Sequence, residues 1–386
     1  MISNWPLYIL TLNGKLKTDM QFIPLASPDI KTEDIQEVVS VLETGMLVQG
    51  KKVAELEKNI GSFLNSDFVT AVSNGTSTMH LALVTLGIGP GDEVIVPAFS
   101  YIATANVVEL VGATPIFVDI EIGTFNIDLS KIETAITEKT KAIIPVHEFG
   151  LACDIEGIMK LAEKHALFVI EDAACALGSS QNGKNVGTFG HFGSFSLHPR
   201  KAISSGEGGL ITTQNEAFAK KTQILRNHGI DVIDGKMEFV AAGFNYRMTD
   251  FQAALVNSQL SRLAETLIYK NELAEIYYEK ISNAKITLPE RPAGIVHSWQ
   301  TFHILLDESI DRDQTIKTLR ETGIGTNYGA QCIPAQAFYQ DKYNYDCTQE
   351  FPNALKAYNQ GLAIPLYEKL TTKDISYIVG ELNKLQ

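Results

Sequence analysis

The chain has 386 residues, of which 45% are hydrophobic and 20% are charged, a composition that excludes a disordered chain. Its 45 acidic and 32 basic residues leave a net charge of −13, which disfavours nucleic acid and anionic membrane surfaces as partners. At roughly 150 residues per domain, this length predicts two to three domains.

The cysteines and the N-terminus indicate where the protein works. Four cysteines are scattered without a Cys-x-x-Cys pair, a usage typical of reduced thiols in a cytoplasm. No apolar run approaches the roughly 18 residues that span a bilayer, so no membrane partner is expected. Residues 1–19 do not resemble a signal peptide and are predicted to be a loosely attached extension, with the folded unit starting near residue 20.

Short β-rich runs alternate with stretches of helical periodicity. The strand-like runs lie at residues 93–97, 114–119, 142–146 and 167–170, and the helix-like stretches lie at residues 76–86, 128–137 and 154–165. Nearly continuous apolar strands separated by helices predict an α/β fold with a mainly parallel sheet between helical layers. Any ligand is then expected at the edge formed by the carboxyl ends of the strands.

A long helix is predicted from Thr249 to Ile281, followed by a strand at residues 301–306 and a helix at residues 313–321. These elements predict a large domain over residues 20–260 and a smaller C-terminal α/β domain over residues 261–386. A helix expected at residues 32–42 should pack near the smaller domain.

The first candidate site is a run of small polar residues, Ser73-Asn74-Gly75-Thr76-Ser77, between a predicted strand at residues 68–72 and an apolar-periodic helix. Unpaired backbone N–H groups at a helix start hold anions well, and glycine permits a close approach. Similar residues cap many helices that bind nothing, so this motif alone is weak evidence for a phosphate site.

The other candidates are an acidic pair and a lysine. Glu171 and Asp172 end an apolar strand at the predicted ligand edge, where one acid could meet a ligand cation, although aspartate after a strand more often caps a turn. Lys201 lies in a polar loop just before a glycine-rich run. A loop lysine is usually solvated, so only its setting makes Lys201 a candidate.

Pyridoxal phosphate (PLP) is a cofactor that requires an anion cradle, a carboxylate and a lysine together. The carboxylate keeps the pyridine nitrogen protonated, which makes the ring an electron sink. The lysine forms a Schiff base and, once displaced, moves the proton between carbons as a general base. The sequence therefore predicts a PLP enzyme with Lys201 and Asp172 as its catalytic residues.

Four motifs together resemble the DegT/StrS-type sugar-nucleotide aminotransferases. They are Gly75-Thr76-Ser77, Glu171-Asp172-Ala173-Ala174, Ser194-Phe195-Ser196-Leu197-His198-Pro199-Arg200-Lys201 and Gly243-Phe244-Asn245-Tyr246-Arg247-Met248-Thr249-Asp250. The match runs in order from about Phe22 to the C-terminus. The lysine motif and the last motif are highly specific when they occur together.

The resemblance implies the type I fold of PLP-dependent transferases and a homodimer with active sites at the subunit interface. It makes Lys201 the Schiff-base lysine and Asp172 the partner of the ring nitrogen. It also implies further cofactor contacts: Gly75, Thr76, Ser77 and Ser196 at the phosphate, Asn245 from the neighbouring subunit at the same phosphate, and Tyr101 on the face of the ring.

Two positions depart from the family's pattern. The residue three positions after the aspartate, usually Gln or His against the phenolic edge of the cofactor, is Cys175, a weak donor. Cofactor binding should survive this change. A late substrate loop often contains a His-Tyr pair, but residues 325–334 contain no histidine. Tyr328 and Arg247 are the remaining candidates for substrate contacts.

Glu207 within Gly-Glu-Gly-Gly favours the subgroup that aminates carbon 4 of the sugar over the carbon 3 subgroup. The expected reaction moves the amino group of glutamate to a nucleotide-linked 4-keto-6-deoxy sugar, for amino sugars of surface polysaccharide such as lipopolysaccharide. The alternatives are a PLP-dependent sugar dehydratase of the same family, in which histidine replaces the lysine, and a non-catalytic PLP-binding regulatory protein. No metal site is expected, because the eight histidines lack ligand spacing.

Overall fold

A seven-stranded sheet organises the N-terminal two thirds of the chain. The computed structural model describes residues 22–386, so the extension predicted for residues 1–19 lies outside the described residues. The strands of this part are β1 (Phe68–Val72), β2 (Glu93–Pro97), β3 (Phe99–Ser100), β4 (Thr114–Val118), β5 (Thr140–Ile143), β6 (Phe168–Asp172), β7 (Ser180–Gln181), β8 (Lys184–Asn185), β9 (Phe192–Ser196), β10 (Gly209–Thr213), β11 (Ile230–Ile233) and β12 (Lys236–Phe239).

The order of strands in the main sheet is β1-β10-β9-β6-β5-β2-β4. β10 runs antiparallel to both of its neighbours, and every other neighbouring pair in this sheet is parallel. The predicted mainly parallel sheet is therefore confirmed. β6 lies at its centre, so the acidic pair at the end of β6 is central to the carboxyl edge.

Eight helices belong to this part of the described chain. They are α1 (Thr32–Thr44), α2 (Lys51–Leu64), α3 (Gly75–Leu86), α4 (Ala103–Leu110), α5 (Leu129–Ile132), α6 (Ile155–Lys164), α7 (Glu216–Arg226) and α8 (Asp250–Leu260). The helix predicted at residues 128–137 is shorter than expected, since a 3₁₀ turn at Glu133–Ala135 follows α5.

The two faces of the sheet enter separate cores because successive strand residues point to opposite sides. Val94 and Val96 of β2 pack with residues of α3 and α4 in one core, whereas Ile95 packs with residues of α6 in another. All three side chains are completely buried. Coverage on both faces explains why these strands are nearly continuous apolar runs.

The C-terminal part adds a three-stranded antiparallel sheet of order β13-β15-β17 and its own hydrophobic core. Its elements are α9 (Leu263–Lys280), β13 (Ile286–Thr287), β14 (Ile295–Val296), β15 (Phe302–Leu306), α10 (Arg312–Glu321), β16 (Gln331–Cys332), α11 (Ala337–Tyr343), α12 (Cys347–Glu350), α13 (Pro352–Gln360), β17 (Gly361–Ile364) and α14 (Thr372–Leu382).

The single helix predicted from Thr249 to Ile281 is wrong, because the chain forms two helices there. A capping box at Thr249 starts α8, and α9 begins at Leu263. Between them Arg262 leaves helical geometry (φ −110°, ψ 5°), and its guanidinium donates to Asp34 Oδ1 of α1 at 2.8 Å. We propose that the boundary between residues 20–260 and 261–386 lies at this break.

Candidate active site

The two acidic residues at the end of β6 have different surroundings. Glu171 is completely buried, and its carboxylate accepts three backbone N–H groups, each at 2.7 Å, from Gly187, Phe189 and Gly190. Nε2 of His147 lies 3.0 Å from the same carboxylate. Glu171 therefore holds together segments of the large domain and has little capacity left for a ligand.

Asp172 is also buried but keeps free acceptor capacity. Its Oδ2 accepts the Thr104 hydroxyl at 2.8 Å, and its Oδ1 accepts the Ala174 N–H at 3.1 Å. A carboxylate has about four acceptor positions, so a ligand N–H can still bind. Burial raises the pKa of Asp172, while these two hydrogen bonds and the charge of Lys201 act to lower it.

Lys201 is turned toward the acidic edge of the sheet. Its Nζ lies 2.9 Å from Cys175 Sγ, and the side chain is half-buried. Burial raises the pKa of the Cys175 thiol, and the positive charge of Lys201 acts to lower it. The structure therefore brings together Lys201, Asp172 and Cys175, and a fully solvated loop lysine is excluded.

The predicted anion cradle forms where β1 leads into α3. Asn74 caps the helix by accepting the Ser77 N–H at 2.8 Å, and the Ser77 hydroxyl donates to the Asn74 carbonyl oxygen at 2.8 Å. Gly75 lies so close to the end of β9 that a Cβ on it would be 2.8 Å from Ser196 Cβ. Gly75, Ser77 and Ser196 are thus brought together, and Thr76 beside them is exposed.

The remaining predicted cofactor residues lie at the edges of this region. Tyr101 is 66% exposed and precedes α4, the helix that carries Thr104. Asn245 is exposed, in a segment joined to the strand before the cradle by a hydrogen bond from Ser73 N to Tyr246 O at 2.9 Å.

The two predicted substrate residues are not joined to the catalytic pair by any contact within residues 22–386. Arg247 donates to Asn227 Oδ1 at 2.7 Å. Tyr328 is 38% exposed and lies in a loop whose strand β16 pairs with β3, just before Tyr101. Their contacts with the substrate stay predictions.

Thr104 and Glu148 belong to the site but are missed by the sequence reasoning. Glu148 follows the strand-like run at residues 142–146. The expectation that ligands bind at the carboxyl ends of strands, which selected the end of β6, could therefore have selected Glu148 as well. Thr104 had no such signal, because it reaches Asp172 from the first turn of a helix.

Comparison with known proteins identifies the family. The model of the DegT/DnrJ/EryC1/StrS aminotransferase family matches residues 28–383. The chain belongs to this family. It is accordingly a PLP-dependent aminotransferase, and the type I fold expected from the sequence is confirmed.

Several relatives of this aminotransferase are similar over nearly their whole length. A GDP-perosamine synthase of Caulobacter vibrioides is 36% identical over 373 residues, covering 95% of this chain and 99% of that protein. A putative sugar aminotransferase of Streptococcus pneumoniae in its PLP form superposes with a TM-score of 0.89 at 30% identity, covering 94% of this chain and 98% of that one. PseC of Helicobacter pylori, an aminotransferase involved in pseudoaminic acid biosynthesis, superposes with a TM-score of 0.89 at 27% identity, covering 95% of this chain and 99% of that one.

The residues of this aminotransferase fit PLP chemically. The cradle at Gly75 has no room for a Cβ, as expected where a backbone approaches a phosphate closely. Asp172 offers a buried acceptor for a protonated ring nitrogen, and the amine of Lys201 lies nearby. An anion cradle, an acid and an amine therefore occur at one edge of the sheet.

We expect Gly75→Ala to weaken PLP binding about tenfold or more, because overpacking at a tight site costs about 1–3 kcal/mol. Titration of the apoenzyme with PLP, followed by protein fluorescence, measures this change. Gly380→Ala in α14 is the matched control, since its added Cβ would meet nothing within 4 Å. Equal PLP affinities of the two variants would show that Gly75 is not part of the cofactor site.

Within residues 22–386, no group of three or more His, Cys, Asp or Glu side chains could hold a metal ion. None of the helices in that range has both the length and the apolar character required to cross a bilayer. The four cysteines are all free thiols.

Proposed function

We propose that this enzyme transfers the amino group of glutamate to a nucleotide-linked 4-keto-6-deoxy sugar, with amination at carbon 4 rather than carbon 3. The family and the similarity to a GDP-perosamine synthase support sugar amination. The observation that carries the proposal is the position of the Lys201 amine, 2.9 Å from Cys175 Sγ and in electrostatic interaction with Asp172, because transamination needs an amine and an acid at one cofactor. The preference for carbon 4 rests on Glu207 in its glycine-rich run.

In this proposal Lys201 and Asp172 are the catalytic residues. PLP, when bound, supplies an electron sink for the charge that develops as the α-proton leaves. Asp172 holds the proton on the ring nitrogen, which its buried position and free acceptor capacity suit. Lys201 anchors the cofactor and, once displaced from it, takes up the proton at Nζ and returns it to the neighbouring carbon. The phosphate is held by Gly75, Thr76, Ser77 and Ser196 of one subunit together with Asn245 of the partner subunit. Tyr101 covers the ring.

An exposed apolar ribbon supports the proposed homodimer. β11 and β12 pair with each other, and Val232, Met237 and Phe239 on them are 66%, 67% and 71% exposed. A contiguous apolar surface of this kind marks an association site. The ribbon leads directly into the segment with Asn245, so a second copy covering it would contact the residue that we assign to the shared site.

The double substitution Met237→Asp and Phe239→Asp is expected to convert the dimer into a monomer and to remove most of the activity, because it puts two charges into the proposed interface. Sedimentation velocity measures the mass, and a glutamate transamination assay measures the activity. Ile268→Asp, at a 62% exposed position of α9, is the control that should stay dimeric. A dimer that persists in the double variant would place the interface elsewhere.

The substrate is tested with a panel of keto sugar nucleotides and glutamate labelled on its amino nitrogen. We expect the label to appear at carbon 4 of a 6-deoxy sugar, as NMR of the product would show. Incorporation at carbon 3 would contradict the preference for carbon 4. No incorporation with any keto sugar would contradict sugar-nucleotide amination itself.

The product would serve the synthesis of a surface polysaccharide such as lipopolysaccharide. We place the enzyme in the cytoplasm, where its four free cysteines would stay reduced.

A further inference from the structure

The fold uses the buried carboxyl group of Glu148 only in part, through a hydrogen bond with Ser100. Glu148 is 4% exposed, and its Oε2 has no hydrogen-bond partner within residues 22–386. Its backbone is fixed, because Glu148 N donates to Asn126 Oδ1 at 2.9 Å. A buried polar atom without a partner costs free energy. A ligand that pairs with Oε2 would remove this cost.

The neighbours of this carboxyl group are the residues of the proposed active site. Val146 forms a β-bridge with Asp172, and the next residue, His147, donates its N–H to the Asp172 carbonyl oxygen at 3.0 Å. Glu148 follows directly. Its carboxyl group interacts electrostatically with Asp172 and Lys201 and affects the thiol of Cys175.

The carboxyl group is mostly protonated at neutral pH. Burial, reinforced by the negative charge of Asp172, raises the pKa of Glu148 to about 8, although Ser100 and Lys201 act in the opposite direction. A neutral carboxylic acid has an O–H to donate. The unpartnered Oε2 can therefore donate a hydrogen bond as well as accept one.

The order of the strands indicates which edge of the cofactor Glu148 would meet. In PLP the phosphate arm and the phenolic oxygen leave the ring on opposite sides of the line from the ring nitrogen to the aldehyde carbon. Asp172 ends the central strand β6, and the phosphate cradle lies on its β9-β10-β1 side. Glu148 follows β5, on the other side of β6.

We propose that the carboxyl group of Glu148 donates a hydrogen bond to the phenolic oxygen of PLP. This inference rests on the roles proposed above for Lys201 and Asp172. Cys175 occupies the position from which family members usually contact that edge, and a thiol is a weak donor. Glu148 supplies the stronger donor from a different strand and so fixes the orientation of the ring between the acid and the lysine.

The test compares PLP affinity of the wild type, Glu148→Gln and Glu148→Leu, at neutral pH and in alkaline buffer. At neutral pH the amide of the glutamine variant still donates, so its affinity should stay close to that of the wild type. The leucine variant should bind PLP about tenfold more weakly or worse, as expected for the loss of a hydrogen bond to a charged oxygen.

The pH dependence separates a proton donor from a group that only fills space. In alkaline buffer the wild-type carboxyl group ionises, loses its donor and repels the phenolic oxygen, whereas the glutamine amide does not titrate. The affinity of the wild type relative to Glu148→Gln should therefore fall by about tenfold. Asp172, Lys201 and Cys175 titrate in both proteins, so the ratio largely removes their effects.

Infrared spectroscopy of the apoenzyme gives a readout that does not depend on activity. A protonated-carboxyl C=O band should be present at neutral pH, absent in Glu148→Gln, and shifted when PLP is added. A wild-type to glutamine affinity ratio that is independent of pH would overturn the inference, even if the leucine variant fails to fold. The proposed function would be contradicted by a different result, namely a Lys201→Ala variant that keeps its covalently bound cofactor.

Discussion

Lys201→Ala is expected to abolish transamination and to remove the yellow colour of the purified enzyme. The substitution deletes the amine that anchors the cofactor and carries the proton, and the loss of this base alone is expected to lower turnover by about 10²–10⁴-fold. Visible absorbance of protein supplied with PLP measures the anchoring. In the wild type, glutamate should bleach that absorbance as the amino group moves to the cofactor.

The control for this variant is Lys384→Ala. Lys384 is a well-exposed lysine that pairs with Glu381 at 2.6 Å, so its loss should leave colour and turnover unchanged. If Lys201→Ala protein stays yellow after extensive dialysis and still bleaches with glutamate, another amine holds the cofactor. Lys270 would be the next residue to examine, since it is a buried lysine whose charge interacts with Cys175.

The adjacent residues Asp172 and Glu171 should respond in opposite ways to removal of their charge. Asp172→Asn is expected to lower turnover by on the order of 10²–10³-fold, because an amide cannot hold the proton on the ring nitrogen. Stability should change little, since the amide oxygen can still accept a hydrogen bond from Thr104 or Ala174. Steady-state kinetics and thermal unfolding are measured on the same preparation.

Glu171→Gln is expected to destabilise the protein by about 3–5 kcal/mol, the range for breaking a buried pair. The substituted amide presents an NH₂ group where the carboxylate accepts three backbone N–H groups and contacts His147. Chemical denaturation measures the loss, and the folded fraction should keep its activity per bound PLP. A stable but inactive Glu171→Gln variant would indicate that Glu171 serves the cofactor, contrary to the roles that we assign to the two acids.

Much of the fold could be read from local patterns. The runs at residues 94–97 and 167–170 are apolar throughout because both faces of the sheet are covered, and a run of consecutive apolar residues can be recognised in the sequence. The break between α8 and α9 could not be read in this way. It depends on Arg262 pairing with Asp34, a residue far away in the sequence, while the apolar periodicity continues across the break.

Alternating strand and helix periodicity was enough to predict the class of fold, and short motifs were enough to predict the family and the candidates Lys201 and Asp172. The paired strands were needed to show which acid of the pair is available, that the Lys201 amine lies 2.9 Å from Cys175 Sγ, and that Glu148 and Thr104 share the site. The cause is distance along the chain. Hydrogen bonds and burial at the carboxyl edge join segments that meet only after the strands have paired, whereas strand and helix preferences act between near neighbours.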